Sequence, residues 1–474
     1  MNGFRFKKKC LYLCLYLAIL VLNACKVGPE YISPNVRITN HYKEASFQND
    51  EKLHWKKIQL TKRTDNDNWW YLFNDPLFNH FINQINTSNQ SLQAAEAAWR
   101  KAYSLIQEKN AAQWPALSGG VKGQYETNLS DKQNNNQLKY ETNLTANWEI
   151  DLWKKAKRQI SIQSAETEFA KLKQEEIRLS LQTSLAQNYF NLRTFDTAYQ
   201  LLNDALKRYQ SMLTLTQNRY DRGIVSYADV LKAKINLHNA QARIADNRAT
   251  RASFEHAIAL LLGKVPAEFT LDKQDKLTEP PEIPLLFPSS LIERRADIVA
   301  AERKVAIANQ KIGIEYTALF PVFNLTTTLA SGPVNWLALP IKWWAFLPSA
   351  TINLFDYQAR RARIAAADSE YDKEVADYRE LVLTAFQEVE DCLAKLKYFQ
   401  NIQNEYQQSV DIAQKALTIQ MNRYRVGVAL PLEVFDAQNN LTEAENNLNT
   451  IRGKRWETTA TLVKALGGGW INPL

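Results

Sequence analysis

Two short motifs contain the side chains of this sequence that are best suited to contact ions or another protein. The pattern Arg-Tyr-x-x-Gly occurs twice, in the residues Arg219, Tyr220 and Gly223 and in the residues Arg423, Tyr424 and Gly427. Acidic side chains follow both copies, namely Asp229, Glu433 and Asp436. The simplest interpretation of these acids is that they begin helices, where the helix dipole stabilises a carboxylate. We expect the two glycines to supply the positive φ of a turn.

The chain contains no recognisable motif of an enzyme. The phosphate-binding G-x-x-x-x-G-K-[ST], the zinc-binding H-E-x-x-H and the nucleophile motif G-x-S-x-G are all missing, and the five histidines show no ligand spacing. A nucleic-acid-binding protein would carry a dense stripe of Lys and Arg, which is also missing. We therefore expect no enzyme, no metal, no cofactor and no nucleic-acid partner.

The two motifs belong to an internal repeat. The segment Leu213–Arg248 matches Leu417–Arg452 at an offset of 204 residues, and Leu262-Gly263 matches Leu466-Gly467 at the same offset. Such self-similarity indicates one structural unit of about 200 residues present twice, so that function depends on what the two copies build together.

The N-terminus has the features of a bacterial lipoprotein signal. Residues 1–24 contain four basic residues and a run of 12 apolar ones, and Leu22–Cys25 resembles the site at which a signal peptidase cleaves before a lipid-modified cysteine. A membrane anchor is the alternative, but it needs roughly 20 apolar residues. Lys26 favours the outer membrane over the inner one. Removing the signal lowers the formal charge from +8 to +4 and leaves Cys392, which we expect to be buried, as the one unmodified cysteine.

Residue alternation predicts four β-strands. Apolar and polar side chains alternate over 117–129 and 140–150, and again over 323–329 and 346–354. A half-buried sheet of a soluble protein would show the same pattern. The strand lengths and the aromatic residues near the strand ends favour strands of a transmembrane barrel.

Long helices follow each predicted hairpin. They are expected over 155–216 and 358–420, with antiparallel return helices over 226–262 and 431–466. A helix of about 60 residues is a rod of roughly 90 Å, and apolar residues at spacings of four and three indicate a coiled-coil seam. Because no stretch after residue 25 is a credible membrane helix, only a closed barrel could cross a bilayer. Four strands are too few for a conducting barrel, so several chains must pool their strands.

Several motifs occur in a specific order and spacing along residues 22–470: Cys25–Tyr31 with Pro34, Trp69-Trp70 with Phe73–Leu77, Trp148–Trp153, Arg294–Ile298 and Ala465–Trp470. With them the chain resembles the TolC-like outer-membrane factors, in particular the NodT-like lipoprotein branch of drug-efflux (RND-type) systems. One departure lies after the fourth strand, where the family commonly has Phe-Asp-Gly-Gly-Arg and this chain has Phe355–Arg360. The bend from strand to helix can therefore differ from that of the family.

The resemblance implies a mainly α fold with a transmembrane β-barrel, in which a homotrimer forms a 12-stranded barrel and a 12-helix periplasmic tube. It implies a passive duct from the periplasm to the exterior of a Gram-negative cell, lipid-anchored at Cys25 in the outer membrane and coupled to a periplasmic adaptor and an inner-membrane pump. It also implies a gate at the periplasmic helical tip, where Asp229, Glu433 and Asp436 match the family's acidic residues by position. At the same tip, the arginines, tyrosines and glycines of the two motifs either lock the tip or contact the adaptor, and a packing role is the alternative.

The expected domain boundaries follow from the repeat: a signal peptide at 1–24, an extended segment and equatorial belt at 25–76, the first repeat at 77–263, a linker at 264–290, the second repeat at 291–467 and a tail at 468–474. A duct for type I protein secretion has the same fold and stays the main alternative. A periplasmic adaptor lipoprotein is less compatible, because an adaptor has one helical hairpin and this pattern is duplicated. The substrate cannot be predicted, since the pump selects it.

Overall fold

The computed structural model describes residues 27–37, 39, 41–44, 68–126, 137–274, 279–281, 283, 288–334, 343–353 and 355–468. The predicted signal peptide and Cys25 lie outside the described residues, as do parts of the predicted linker and most of the tail.

Helices dominate the described part of the chain. They are α1 (Pro76–Ser88), α2 (Gln90–Ala111), α3 (Lys155–Asp221), α4 (Tyr227–Leu261), α5 (Pro288–Arg294), α6 (Ala296–Thr317), α7 (Tyr357–Arg425) and α8 (Pro431–Ala465), with short 3-10 turns at Trp69–Phe73 and Pro266–Glu268. The long helices begin and end within five residues of the predicted bounds. Among the described residues, no helix is long and apolar enough to cross a membrane.

Four strands form one antiparallel sheet in the order β1-β2-β3-β4. Their bounds are β1 (Ala116–Glu126), β2 (Gln137–Ile150), β3 (Val322–Val334) and β4 (Trp343–Thr351). The central pair joins the two repeats, with Leu144 opposite Leu329 and Ile150 opposite Phe323. The element order α2-β1-β2-α3-α4 recurs as α6-β3-β4-α7-α8, so the same succession of elements occurs twice.

The chain divides into two compact units, and the first contains the sheet, with Ala97–Leu172, Ala300–Glu380 and the N-terminal residues up to Asn35. Here Arg158 of α3 is buried and donates hydrogen bonds to the carbonyl oxygen of Val27 and, at 2.8 Å, to Gln310 Oε1. A side chain at Gly313 would collide with this guanidinium, because its Cβ would lie 2.2 Å from Arg158 Cζ. Tyr31 Oη donates to Glu302 at 2.8 Å. The N-terminal segment that contains Val27 and Tyr31 is therefore fixed to α3 and α6.

The departure at Phe355–Arg360 lies at the start of α7. The buried guanidinium of Arg360 donates to the carbonyl oxygen of Ala318 at 2.8 Å and to that of Asn353, and it lies 2.6 Å from the carboxylate of Asp356. In place of the two glycines of the family pattern, this chain has the helical residues Tyr357 and Gln358, and the bend is held by an arginine.

The second unit contains Val36–Glu96, Lys173–Val299 and Leu381–Leu474. Its core is aromatic. Phe190 stacks on Trp456 at 4.2 Å and on Phe73 at 5.2 Å between ring centroids, and Trp69 Nε1 donates to Gln182 at 3.2 Å. The Trp-Trp motif found in the sequence is thus a packing element, since large rings contribute most of the buried apolar area of a core.

Arg295 fixes the C-terminal end of α8 in this unit. Its guanidinium binds Asp297 through two hydrogen bonds of 3.1 and 2.7 Å, and it also donates to Glu388 and to the carbonyl oxygen of Ala465. Burial alone would raise the pKa of Asp297, but the hydrogen bonds and charge of Arg295 outweigh it and lower the pKa. Cys392 is buried as expected, and burial raises the pKa of its thiol to about 11.

A buried ion network missed by sequence reasoning holds the linker between the repeats. Asp196 lies 3.0 Å from Arg193 and 2.6 Å from Arg251, and these arginines donate to the carbonyl oxygens of Asp272 and Leu271. At the position of Arg251 in the second repeat, Arg455 binds Glu279 of the same linker at 2.5 Å. The signal was the i, i+3 spacing of Arg193 and Asp196 within α3. Such pairs need good geometry to offset their desolvation.

Candidate functional site: two helical turns

Two turns join the long helices to their return helices in the second unit. We name residues 219–229 the first turn and residues 423–433 the second turn. Beneath them lies one apolar cluster to which α3, α4, α7 and α8 all contribute, formed by Met212, Ala233, Leu417, Tyr424, Ala429, Val434, Phe435, Ala437 and Leu441. Leu417 of this cluster is one of the apolar residues whose spacings of four and three predict a coiled-coil seam.

Both turns reverse the chain through a glycine in the left-handed region. Gly223 has a φ of 72° and Gly427 a φ of 87°, which confirms the predicted positive φ at both positions. The backbone N–H of Ile224 donates to the carbonyl of Arg219 at 2.9 Å, and that of Val428 donates to the carbonyl of Arg423 at 2.9 Å. This is the Schellman pattern, which satisfies the last carbonyls of a helix. A Cβ added at either glycine would have nothing within 4 Å, so the two glycine positions are open.

Arg219 of the first turn is bound to the second turn. Its guanidinium lies over the ring of Tyr424 at 3.9 Å and donates to the carbonyl oxygens of Tyr424 at 2.6 Å and of Arg425 at 3.2 Å. Tyr424 is 0% exposed. One arginine therefore satisfies two C-terminal carbonyls of α7 while its charge rests on an aromatic face.

The equivalent pair of the second turn behaves differently. Arg423 lies 3.6 Å from Glu433 of its own turn, with side chains that are 47% and 38% exposed. Tyr220 is 39% exposed, and its ring lies 5.4 Å from that of Tyr227. The structure thus brings Arg219 together with Tyr424 and does not bring Arg423 together with Tyr220.

The three predicted gate acids have different surroundings. Asp229 closes a capping box at the start of α4, because its Oδ2 accepts from the N–H of Ser226 at 3.1 Å and from its hydroxyl at 2.8 Å. Glu433 accepts from the N–H of Leu430 at 3.1 Å at the start of α8. Asp436, three residues further on, is exposed and borders an open groove together with Glu405. The capping role suggested by the sequence is therefore present at Asp229 and Glu433, and the gating role stays a prediction for all three.

Exposed apolar residues surround both turns, and sequence reasoning missed them apart from Tyr220. Among the described residues at this end they are Tyr220, Ile224, Tyr227, Leu231, Ile235, Val426, Val428, Leu430 and Leu432. We call this set the apolar rim. Large exposed apolar patches usually mark contact surfaces for other proteins. The signal was the run Val426–Leu432, in which no charge is present.

The chain is similar to known proteins in both sequence and fold. A family model described as "Outer membrane efflux protein" matches residues 81–264 and 287–468. Among curated relatives, the toluene efflux pump outer membrane protein TtgC of Pseudomonas putida is 26% identical over 474 residues, covering 97% of this chain and 95% of the relative. The cation efflux system protein CusC of Escherichia coli K12 is 25% identical over 462 residues, covering 96% and 98%.

Solved structures share the fold. The outer-membrane channel OprN superimposes with a TM-score of 0.84 at 24% identity, over 94% of this chain and 100% of that one. The open state of the Neisseria gonorrhoeae MtrE outer membrane channel gives a TM-score of 0.80 at 24% identity, over 94% and 98%. These likenesses confirm the predicted fold class, which is mainly helical with four strands in each chain.

Proposed function

The chain belongs to the outer membrane efflux protein family and is an outer-membrane efflux channel, and we propose that three copies of it form the passive duct of a tripartite pump. The observation that carries this proposal is the repeated order of a strand hairpin and a pair of long helices, found twice in one chain. The efflux relatives do not favour the alternative of a protein secretion duct.

The sheet supplies the argument for the trimer. β1 and β4 are its edges, and each pairs with one neighbour. An unpaired strand edge is unfavourable in lipid, because no water is present to bind its N–H and C=O groups. Placing β4 of one copy beside β1 of the next satisfies both edges, and three copies then close a barrel of 12 strands. The four long helices of each copy would supply a tube of 12 helices.

The two turns would form the periplasmic tip of this tube. Arg219 on Tyr424 supports a lock between the turns of one copy, because it joins the end of α3 to the end of α7. The apolar rim and the open positions of Gly223 and Gly427 support a second role, the docking of the periplasmic adaptor. The adaptor would in turn connect the channel to an inner-membrane pump.

Asp229, Glu433 and Asp436 would form rings of like charge in a trimer. Their mutual repulsion is unfavourable in a closed tip unless cations or basic groups offset it, and acidic rings favour cation passage. Replacing all three with Ala should raise single-channel conductance in planar bilayers and lower the preference for cations. D221A is the matched control, because Asp221 is an exposed acid of the same tip. Equal behaviour of the triple variant and wild type would contradict the gate.

Cys25 would carry a covalent lipid that anchors the channel to the outer membrane. The binding of Val27 by Arg158 supports this role, because the chain is fixed two residues after the proposed attachment point. Mass spectrometry of the mature chain should detect acyl chains on Cys25. A mature chain without an acyl adduct, or one that begins elsewhere, would contradict the anchor.

The function itself is testable in the host cell. Deleting the gene should raise sensitivity to toxic solutes, and the intact chain should restore resistance only when its pump and adaptor are present. Normal resistance after deletion, in a host without a second channel of this family, would contradict the proposal.

A further inference from the structure

The sheet has one apolar and one polar face, set by the alternation of side chains along paired strands. The registers place the following residues on the apolar face: Leu117, Val121, Leu144, Trp148, Leu325, Leu329, Trp344, Phe346 and Pro348. On the polar face lie Ser118, Lys122, Glu141, Asn143, Thr145, Asn147, Asn324, Thr326 and Thr328. In a closed barrel the apolar face meets lipid and the polar face meets the aqueous lumen.

β4 breaks this division. Trp343, Ala345 and Leu347 lie on the polar face, opposite Ala330, Thr328 and Thr326. β4 is therefore apolar on both faces over its first five residues, whereas the other three strands keep a polar face. Nothing in the lipid-facing role of the sheet requires an indole on this side.

The residue paired with Trp343 on this face, Ala330, is small. The row across the sheet reads Gly120, Asn143, Ala330 and Trp343. Ala330 is 8% exposed, in agreement with coverage by the large side chain opposite it, since cross-strand Cβ atoms lie about 5 Å apart. Trp343 itself is 50% exposed. The row thus leaves room for the indole to extend over the polar face.

Position along the strand places this indole near one end of the sheet. Trp343 is the first residue of β4, at the end opposite to the strand ends that lead into α2, α3, α6 and α7. Leu347 lies four residues further along, about 13 Å at the usual rise of a strand. An apolar stripe therefore runs from the hairpin end of the sheet toward its middle, on the face that is otherwise polar.

We propose that Trp343 and Leu347 from three copies form an apolar collar inside the barrel, through which apolar and aromatic solutes make contact as they leave. The collar rests on the proposed trimeric channel. Passage requires binding that is favourable enough for entry and weak enough for release. An aromatic face in contact with water meets this condition, because an aromatic pair contributes only about 0.5–1.5 kcal/mol beyond the area that it buries.

The orientation of Trp343 can be tested without any measurement of efflux. The protein is reconstituted into vesicles whose acyl chains carry bromine, and tryptophan fluorescence is quenched either by that bromine or by iodide in the water. W343F should remove iodide-quenched signal and leave bromine quenching unchanged. W344F is the matched control, since the adjacent side chain lies on the apolar face, and it should remove bromine-quenched signal.

Loss of bromine-quenched signal in W343F would overturn the collar while leaving the channel intact. No bromine quenching in any variant would instead contradict the membrane channel, and the collar with it. The two failures are therefore distinguishable.

Contact with solutes is tested by current block. Tetraphenylphosphonium, an aromatic organic cation, is added to the hairpin side of single channels in a planar bilayer. W343A should weaken its block about fivefold, because roughly 1 kcal/mol of aromatic contact is removed, while W344A should leave the block unchanged. Equal block in both variants would overturn the role of the collar.

Discussion

The first and second turns have the same Arg-Tyr-x-x-Gly motif and the same glycine geometry, yet they differ in how their tyrosines are used. Tyr424 of the second turn is fully buried under a guanidinium, whereas Tyr220 of the first turn is exposed beside another tyrosine ring. Arg219 reaches across to the other turn, and Arg423 pairs within its own. One turn is thus packed and the other turn is accessible.

This difference shows how a duplicated element can take two roles. Burial of Tyr424 ties the second turn to the apolar cluster, so its position depends on the packing of four helices. Apart from Arg219, the first turn depends on local hydrogen bonds, of which the capping box of Ser226 is the main one. We expect the second turn to be the stable half of the tip and the first turn to be the half that opens first.

Substitutions of the two tyrosines should show the largest difference in stability between the turns. Replacing Tyr424 with Ala removes a fully buried ring and should lower the local stability of the tip by about 3–5 kcal/mol, as for other large aromatic residues in cores. Y220A should change it by less than about 0.5 kcal/mol, as for an exposed residue. Hydrogen exchange of the peptides around both turns measures the opening free energy. Equal effects of the two substitutions would remove the distinction between the turns.

Y424F provides a further control for that contrast. The Tyr424 hydroxyl is buried and has no hydrogen-bond partner among the described residues. Removing it should therefore be neutral or slightly stabilising. A loss comparable to that of Y424A would mean that the hydroxyl, and not the ring, holds the second turn.

Substitutions of the two arginines should show the next largest difference in stability. R219A removes a cation–π contact and two hydrogen bonds to carbonyls, and it should lower the stability of the second turn by about 2 kcal/mol. R423A removes an exposed ion pair and should have an effect below about 1 kcal/mol. The measurement is exchange in the peptides that contain Val426 and Val428. A larger effect for R423A would reverse the assignment of the link.

Substitution of the two glycines should lower the stability of both turns equally, because both turns need the same backbone conformation at this position. G223A and G427A each place a Cβ in the left-handed region with no steric collision, so each should lower stability by about 1 kcal/mol. Thermal unfolding of the two variants in the same detergent checks this equality. A difference of more than 1 kcal/mol, by contrast, would show that packing reaches one of the glycines.

Among the pairs for which a difference is expected, the two helix starts should show the smallest difference in stability. Ser226 caps α4 with its side chain, and S226A should lower the stability of the first turn by about 1 kcal/mol. Leu430 occupies the equivalent position of the second turn and makes no side-chain capping bond, so L430A should be nearly neutral. Hydrogen exchange of the N–H groups at the start of α4 and of α8 measures the effects of the two substitutions. An effect of L430A equal to that of S226A would point to packing at the rim.

Much of the fold was predictable because it depends on local pattern. Alternation located four strands, the spacing of apolar residues located the long helices, and glycine located both turns. The choice of the buried tyrosine was not predictable, since Tyr220 and Tyr424 occupy the same position of the same motif and differ in contacts between residues about 200 positions apart. Trp343 escaped notice because the alternation that was found begins at residue 346, beyond the indole.

The most direct test of the account is the single-channel conductance of the purified protein in a planar bilayer. We predict that wild type forms channels of low conductance, because Arg219 holds the tip, and that R219A raises the conductance while R423A leaves it unchanged. The absence of channels in every variant would contradict an outer-membrane efflux channel. Channels of equal conductance in wild type and R219A would contradict the claim that the link to Tyr424 restricts the tip.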